Sequence, residues 1–304
     1  MVAVEKPYVA VSNGVLSSIT DLGKRRRFVW DQAQPMASYL AILDIDWYRQ
    51  EVQVATNGVT IRTFKTASTP PDTLRALRKT PAMMSYFDGL LGPYPFDAYG
   101  SVLVRDPGLY YALETQAMST FQQDGVDEAT VAHELAHQWF GDAVTVAEWR
   151  DLWLAEGFAT YLELLWQYRA DRPGLEAAFA SLYRDVVKNK VGPAVVSRPQ
   201  DMFADNTYYR GALTLHALRL HVGERDFFRT LRAFYRSFRN KNATSADFID
   251  VADRYSDQGG VRRLLRAWLY NRAVPSLPGV SAMAEAQLAE PAEPPRLGIG
   301  VRRR

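Results

Sequence analysis

At 304 residues, with 47% hydrophobic and 23% charged side chains, the chain has an ordinary globular composition and room for about two domains. A formal charge of +2, from 36 basic and 34 acidic residues, gives no sign of a nucleic-acid partner, and the basic runs at 24–27 and 302–304 read as a solvated turn and a tail end. The absence of cysteine excludes disulfides and thiolate metal ligands, so any metal must be held by nitrogen and oxygen. No apolar run approaches the roughly 20 residues of a membrane span and no export signal opens the sequence, so the expected compartment is, by default, cytoplasmic.

The first 66 residues are rich in Val, Ile, Tyr and Thr and read as strands at 8–11, 28–30, 39–46 and 51–64. Asn13-Gly14, Asp21-Leu22-Gly23 and Asn57-Gly58 are turn signals between them, and the two Asn-Gly pairs are of the hairpin kind. Thr69-Pro70-Pro71 breaks the pattern, and a helix is predicted from 71 to 91, stopped by Gly92-Pro93-Tyr94-Pro95-Phe96. Short strands are predicted at 101–105 and 110–116. Helices are then predicted at 127–140, 151–170, 174–188, 208–222, 225–238, 245–255 and 260–271, with Gly141 as a C-terminal cap and Ser245 as an N-cap. Beyond Val274 the composition turns to Pro, Ala and Glu, which predicts a mobile tail over 275–304.

The run His133-Glu134-Leu135-Ala136-His137 carries the chemistry. On a helix, positions i and i+4 share a face, so both imidazoles reach one ion, while Glu134 is offset to address a water instead of the metal. Two histidines leave zinc short of a third protein ligand. Glu156, in Leu152-Trp153-Leu154-Ala155-Glu156-Gly157-Phe158-Ala159-Thr160, follows after a gap that fits a loop and a second, antiparallel helix. His2Glu with one open position is a catalytic arrangement, since structural zinc sites close all four. The remaining histidines, His216 and His221, read as packing or surface residues. The polar stripe Glu156, Thr160, Glu163, Gln167 would by itself be a solvated helix face.

These residues resemble the gluzincin metallo-aminopeptidases of the aminopeptidase N family. The resemblance rests on His-Glu-Leu-Ala-His-Gln-Trp-Phe-Gly-Asp, the spacing to Glu156 and the Gly92–Phe96 turn, and it runs from about residue 6 to 269. It implies an α+β fold: a mainly α-helical thermolysin-like catalytic domain with a small sheet at 67–274, preceded at 1–66 by the last strands of an all-β saddle domain. It also implies one zinc ion held by His133, His137 and Glu156, with Glu134 as general base. Tyr111-Ala112-Leu113-Glu114-Thr115-Gln116 falls where the family carries Gly-Ala-Met-Glu-Asn, which places Ala112 and Glu114 against the substrate, Glu114 on its free α-amino group. Thr207-Tyr208-Tyr209-Arg210-Gly211 matches Tyr-x-Lys-Gly, which makes Tyr208 the oxyanion donor, with Tyr209 its competitor, and groups Arg210 with the substrate-binding residues. Glu163 is a candidate to hydrogen-bond a zinc ligand.

The expected activity is zinc-dependent removal of amino-terminal residues from peptides. A zinc endopeptidase with an incomplete amine pocket is the alternative among enzymes, and an inactive zinc-bearing interaction protein the alternative outside them. The family's Asn before the third ligand is Ala155 here, and the Asn of Gly-Ala-Met-Glu-Asn is Gln116. The short β-region is read in three ways: a truncated reading frame, a compact variant, or a domain completed by a partner chain.

Overall fold

The turn signals read from the sequence sit between strands in the computed structural model, which describes residues 1–106, 108 and 111–279. The described residues form two compact units, the first comprising Met1–Gly89 and Pro93–Gln138, the second Leu90–Gly92 and the described residues from Trp139 to Gly279.

In the first unit β1 (Val2–Glu5), β3 (Val15–Leu22) and β4 (Arg25–Asp31) make an antiparallel sheet of order β1-β4-β3, and β2 (Val9–Ser12) pairs with β5 (Leu43–Asp46). Gly23, at φ +77°, closes the β3–β4 turn with its amide on the Asp21 carboxylate at 2.9 Å. Asn13-Gly14 does not close a hairpin: β2 and β3, on either side of it, pair with different partners. The Asn13 amide is spent on distant backbone instead, donating to the carbonyls of Leu40 at 2.9 Å and Gln116 at 2.7 Å. Segment 39–46 is a strand only from Leu43, because Ser38–Leu40 winds into a single 3-10 turn.

A second sheet, of order β6-β7-β8-β10-β9, is built from β6 (Arg49–Val54), β7 (Thr60–Lys65), β8 (Ala98–Val104), β9 (Ala112–Leu113) and β10 (Ser119–Gln122). Here Asn57-Gly58 does turn a hairpin, with Gly58 at φ +86°. The expected boundary at 66 falls inside this sheet, since β7 runs parallel to β8 with Thr60 opposite Ala98. Strand β8 is buried on both faces, as befits a central strand with parallel neighbours. Phe64, Val102 and Met118 pack with Val11 and Tyr48 beneath the sheet. Edge strand β9 is shorter than predicted, and Tyr110, where that strand was expected to start, lies outside the described residues.

The helix predicted over 71–91 is two, α1 (Pro71–Leu77) and α2 (Thr80–Leu91). Pro81 explains the break: it has no N–H for the Leu77 carbonyl and its ring would clash there. Thr80 Oγ1 takes that carbonyl at 2.6 Å. Helix α3 (Glu128–Ala136) ends four residues before the predicted stop, and Gly141, at φ +129°, turns the chain toward β11 (Val144–Val146) instead of capping it.

The second unit is helical: α4 (Trp153–Gln167), α5 (Arg172–Lys188), α6 (Gly211–Val222), α7 (Glu224–Phe238), α8 (Ser245–Arg254) and α9 (Val261–Tyr270), with β12 (Lys241–Ala243) parallel to β11. Its core holds Phe140, Trp153, Phe158, Phe234 and Phe248, all 0% exposed, with Phe140 and Phe158 4.4 Å apart. Burying each such ring stabilises the unit by about 1.5–3 kcal/mol, and well-oriented ring pairs add about 0.5–1.5 kcal/mol. The cap of α8 is Thr244, one residue before the one expected, in a reciprocal pair with Asp247. Ser245 is drawn inward, accepting from Trp153 Nε1 at 2.8 Å and donating to Asp151 at 2.5 Å. Of the tail expected over 275–304, residues 280–304 lie outside the described residues, and Leu277 before them is buried. No helix among the described residues is long and apolar enough to cross a membrane.

Candidate active site

Helix α3 begins at a built cap, Asp127, whose carboxylate accepts the Thr130 amide at 2.8 Å. This fixes the start of a short helix whose remaining turns carry His133, Glu134 and, at its C-terminal end, His137. All three are buried, at 4%, 6% and 1% exposed. The Nε2 atoms of His133 and His137 converge to 3.1 Å. Two imidazoles bound tetrahedrally to zinc at about 2.0–2.1 Å would place their nitrogens roughly 3.3 Å apart, so the pair is preset for one shared ion.

Glu156 sits in the first turn of α4 and is 5% exposed. Phe158, two residues on and about 200° around the helix, inserts into the aromatic core and fixes the rotation of α4. His133, His137 and Glu156 form a group able to hold a metal, with one ligand atom from each lying within 4.8 Å of the others. Two neutral nitrogen donors and one carboxylate are the donor set that zinc takes when a fourth position is left open, so these residues fit a single zinc ion. The polar stripe along α4 is not solvated: Thr160 and Glu163 are fully buried, and Glu163 accepts from Gln167 at 2.8 Å.

A second group shares His137. Glu114, Glu134 and His137 also bring one ligand atom each within 4.8 Å of one another. Glu114 is 9% exposed and follows directly on edge strand β9, whose Ala112 is half-buried opposite Phe121. Tyr208 and Tyr209 lie together, both half-buried, on a π-helical turn, Asn206–Arg210, that leads into α6 and packs against α4. Such turns recur at functional sites because they re-aim side chains within a helix.

Arg210 departs from its expected place among the substrate-binding residues. It is fully buried, and its guanidinium donates to the carbonyls of Trp268 (2.9 Å), Val191 (3.1 Å) and Asn271 (2.6 Å), with longer contacts to Ala267, Arg272 and Ala273. Backbone carbonyls at and just beyond the end of α9, where helical amides run out, are thereby given donors by Arg210. Burial lowers its pKa to about 10, so it remains cationic at neutral pH.

Two polar residues stand out that sequence reasoning passed over. Gln138, directly after the second histidine, is fully buried, accepts the Ala117 amide at 2.7 Å and donates to the Glu114 carbonyl at 3.1 Å. Asn13 binds the other side of the same segment. The available signal for Gln138 was its place directly after the second histidine, between that ligand and the apolar Trp139-Phe140. Asn13 gave none, because Asn-Gly is explained locally as a turn.

The chain matches the Peptidase family M1 domain over residues 76–268. It is 26% identical to probable aminopeptidase 2 of Sulfurisphaera tokodaii over 90% of its own length, and 34% identical to aminopeptidase N of Streptomyces lividans over 56%. It spans 38% and 21% of those two proteins. Among solved structures, it superposes on an M1 zinc metallopeptidase from Deinococcus radiodurans with a TM-score of 0.82 at 31% identity, covering 91% of this chain and 63% of that one. A variant described as a two-domain M1 zinc metallopeptidase bound to L-tryptophan gives 0.83 at 31% identity, with 91% and 64% covered. The matched stretch holds both histidines, Glu134 and Glu156 together, and on that ground the chain belongs to peptidase family M1.

Proposed function

We propose that this chain hydrolyses peptide bonds at the amino end of peptides, with one zinc ion on His133, His137 and Glu156. The observation that carries the reading is the second group: a further carboxylate, Glu114, shares a ligand-sized space with Glu134 and His137. A carboxylate there is placed to receive a substrate ammonium, and an ammonium held at one point fixes which peptide bond reaches the hydrolytic centre. The aminopeptidase names of the curated relatives agree with this reading.

Zinc, when bound, supplies a Lewis acid that polarises a carbonyl and acidifies water toward a pKa of about 7. Glu134 takes the proton of the attacking water and returns it to the leaving amine. Tyr208 donates a hydrogen bond to the oxyanion that develops on the former carbonyl oxygen, an effect of about 3–4 kcal/mol for one donor in comparable sites. Glu114 holds the amine and Ala112 borders the bound residue. Arg210 serves this site through the fold, by anchoring the turn that carries Tyr208.

For the domain organisation we propose a β-region in the first part of the chain, a catalytic domain after it and a Pro/Ala/Glu-rich tail. The pairing of β7 with β8 supports drawing β6 and β7 into the catalytic sheet, ahead of residue 66. A partner chain completing the β-region finds support in β5 and its neighbour, where Leu43, Ile45 and Trp47 are 57%, 44% and 59% exposed.

Cleavage of aminoacyl-coumarin amides with free and acetylated amino groups, by wild type and Glu134→Gln, tests the reading. Zinc-dependent cleavage that strongly favours the free-amine substrates, with slow cleavage of the acetylated ones, is the expected result. Equal cleavage of both would favour the endopeptidase, and no zinc-dependent cleavage of any peptide the inactive scaffold.

A further inference from the structure

Segment Glu114–Met118 does not hold its shape by local bonding alone. Ala117 is fully buried with a φ of +59°, a left-handed conformation that costs a residue with a side chain and persists only where surroundings enforce it. Within the turn the Met118 amide donates to the Thr115 carbonyl at 3.0 Å, and Thr115 Oγ1 donates to the Met118 carbonyl. The enforcing contacts come from two sides.

On one side stands Gln138. Its Oε1 accepts the Ala117 amide at 2.7 Å, and its Nε2 donates to the Glu114 carbonyl at 3.1 Å, with a marginal contact to the Glu134 carbonyl at 3.5 Å. One side chain thus joins the residue next to the ligand His137 to the backbone of Glu114 itself. On the other side, Asn13 Nδ2 donates to the Gln116 carbonyl at 2.7 Å, and the Gln116 amide donates to the Leu40 carbonyl at 3.3 Å. The Gln116 side chain donates to the Pro35 carbonyl at 3.0 Å. Asn13 is itself fixed, donating to the Leu40 carbonyl and accepting the Ile42 amide at 2.9 Å. The Glu114 segment is therefore clamped between the histidine helix and the strand-rich part of the same unit.

We propose that Gln138 is a positioning residue that sets the distance from the Glu114 carboxylate to the histidine pair, and so determines selectivity for a free amino terminus. The proposal rests on the amino-end reading above and deepens it. Gln138 touches no reacting atom. Its two bonds go to backbone groups on either side of the Glu114 turn, which is where a side chain must act to move Glu114 without altering its charge. Loss of the pair leaves a buried amide and a buried carbonyl without this partner, and the turn relaxes from the strained Ala117 conformation. Displacement of a binding group by about 1 Å is enough to cost on the order of 100-fold in rate.

The test uses Gln138→Met, which keeps length and burial but removes both bonds, in the full chain, with Asn13→Asp as a second variant that keeps the Ile42 contact and loses the donors to Gln116 and Leu40. Three quantities are measured: zinc per chain, kcat and KM for free-amine and acetylated aminoacyl-coumarins, and amide hydrogen exchange at Ala117. The expected result is wild-type zinc content, faster Ala117 exchange, and a drop of at least about 10-fold in kcat/KM for the free-amine substrate, mostly through KM. Cleavage of the acetylated substrate stays where it was, so the selectivity ratio falls by the same factor. Loss of both activities in equal proportion would mean that Gln138 is only structural and would overturn the proposal. Unchanged Ala117 exchange would also overturn it, whatever the kinetics. If wild type fails to distinguish the two substrates, the amino-end reading fails by itself, and the exchange measurement still decides whether Gln138 holds the turn.

Discussion

Gly157 and Gly211 meet backbone to backbone: a methyl group on Gly157 would fall 2.8 Å from the Cα of Gly211, and one on Gly211 would fall 2.9 Å from the Cα of Gly157. Both lie in helices, α4 and α6, so the requirement is space and not an unusual backbone angle. Ala is the better helix former by about 0.5–1 kcal/mol, yet here its methyl group has no flexible neighbour to displace. Overpacking of this kind costs about 1–3 kcal/mol and is relieved only by moving the helices apart. Gly157 follows the ligand Glu156, and Gly211 follows the turn that bears Tyr208. Gly157→Ala is expected to lower both the urea midpoint and the zinc content, whereas Gly192→Ala, with nothing within 4 Å of its Cβ position, changes neither. Wild-type values for Gly157→Ala would show that the crossing has slack.

Metal binding and turnover separate at Glu134. Because it is assigned to the attacking water and not to the ion, Glu134→Gln should retain one zinc per chain and lose about 100- to 10,000-fold in kcat. Glu156→Ala and His133→Ala should lose the zinc itself, and a chelator should do the same to wild type, reversibly on adding zinc back. Metal analysis beside a single-substrate rate distinguishes these outcomes. Appreciable turnover in Glu134→Gln would remove it as the base.

Tyr208 and Tyr209 stand side by side on the π-helical turn, and phenylalanine substitutions decide between them. Removing an oxyanion donor reduces kcat by about 100- to 1,000-fold while leaving ground-state binding nearly intact. Tyr208→Phe should show that signature with unchanged KM and zinc content, and Tyr209→Phe should not. The opposite pattern would transfer the role to Tyr209.

Much of this site is legible in the sequence because helix periodicity is local: His133 and His137 need only one turn of regular helix to converge. Long-range features are not legible in that way. β11 and β12 have three residues each, and Val144 pairs with Lys241 across most of the second unit, so no local alternation announces them. Asn13 follows a strand and precedes a glycine, a pattern a turn explains fully, while its partners Leu40 and Gln116 are set by tertiary structure. Arg210 was misassigned for the same reason. Its position in the motif suggested a ligand-facing cation, but the carbonyls that claim it come from Val191 and from the end of α9. The split of α1 from α2 at Pro81 was readable in principle, since proline within a helical pattern ends the preceding helix.

His216 gives the fold an acid-sensitive element distinct from the metal ligands. Its ring is 3% exposed and stacks on Phe179 at 4.0 Å, and burial, aided by the positive charges of Arg219 and Arg172, lowers its pKa from 6.5 to about 3. Glu176, with a carboxylate oxygen 3.8 Å from Nε2, does not offset these effects. Between pH 6.5 and about 3 the unfolded chain therefore holds a proton that the folded chain does not. Stability must fall as pH falls through that window, by up to about 1.4 kcal/mol per pH unit from this one group. Glu51, held at a pKa of about 2 by Arg78 and Lys65, loses its contribution below about 4.5, in wild type and variant alike. His216→Leu is thus expected to unfold at a urea concentration near or slightly below wild type at pH 7.5, because the stack on Phe179 is gone. On acidification to pH 4 it should lose less stability than wild type. Urea midpoints at pH 7.5, 6, 5 and 4, taken in chelator so that metal release does not enter, provide the comparison. Two curves that stay parallel over the whole range would show that the His216 ring is protonated as readily in the folded chain as in the unfolded one.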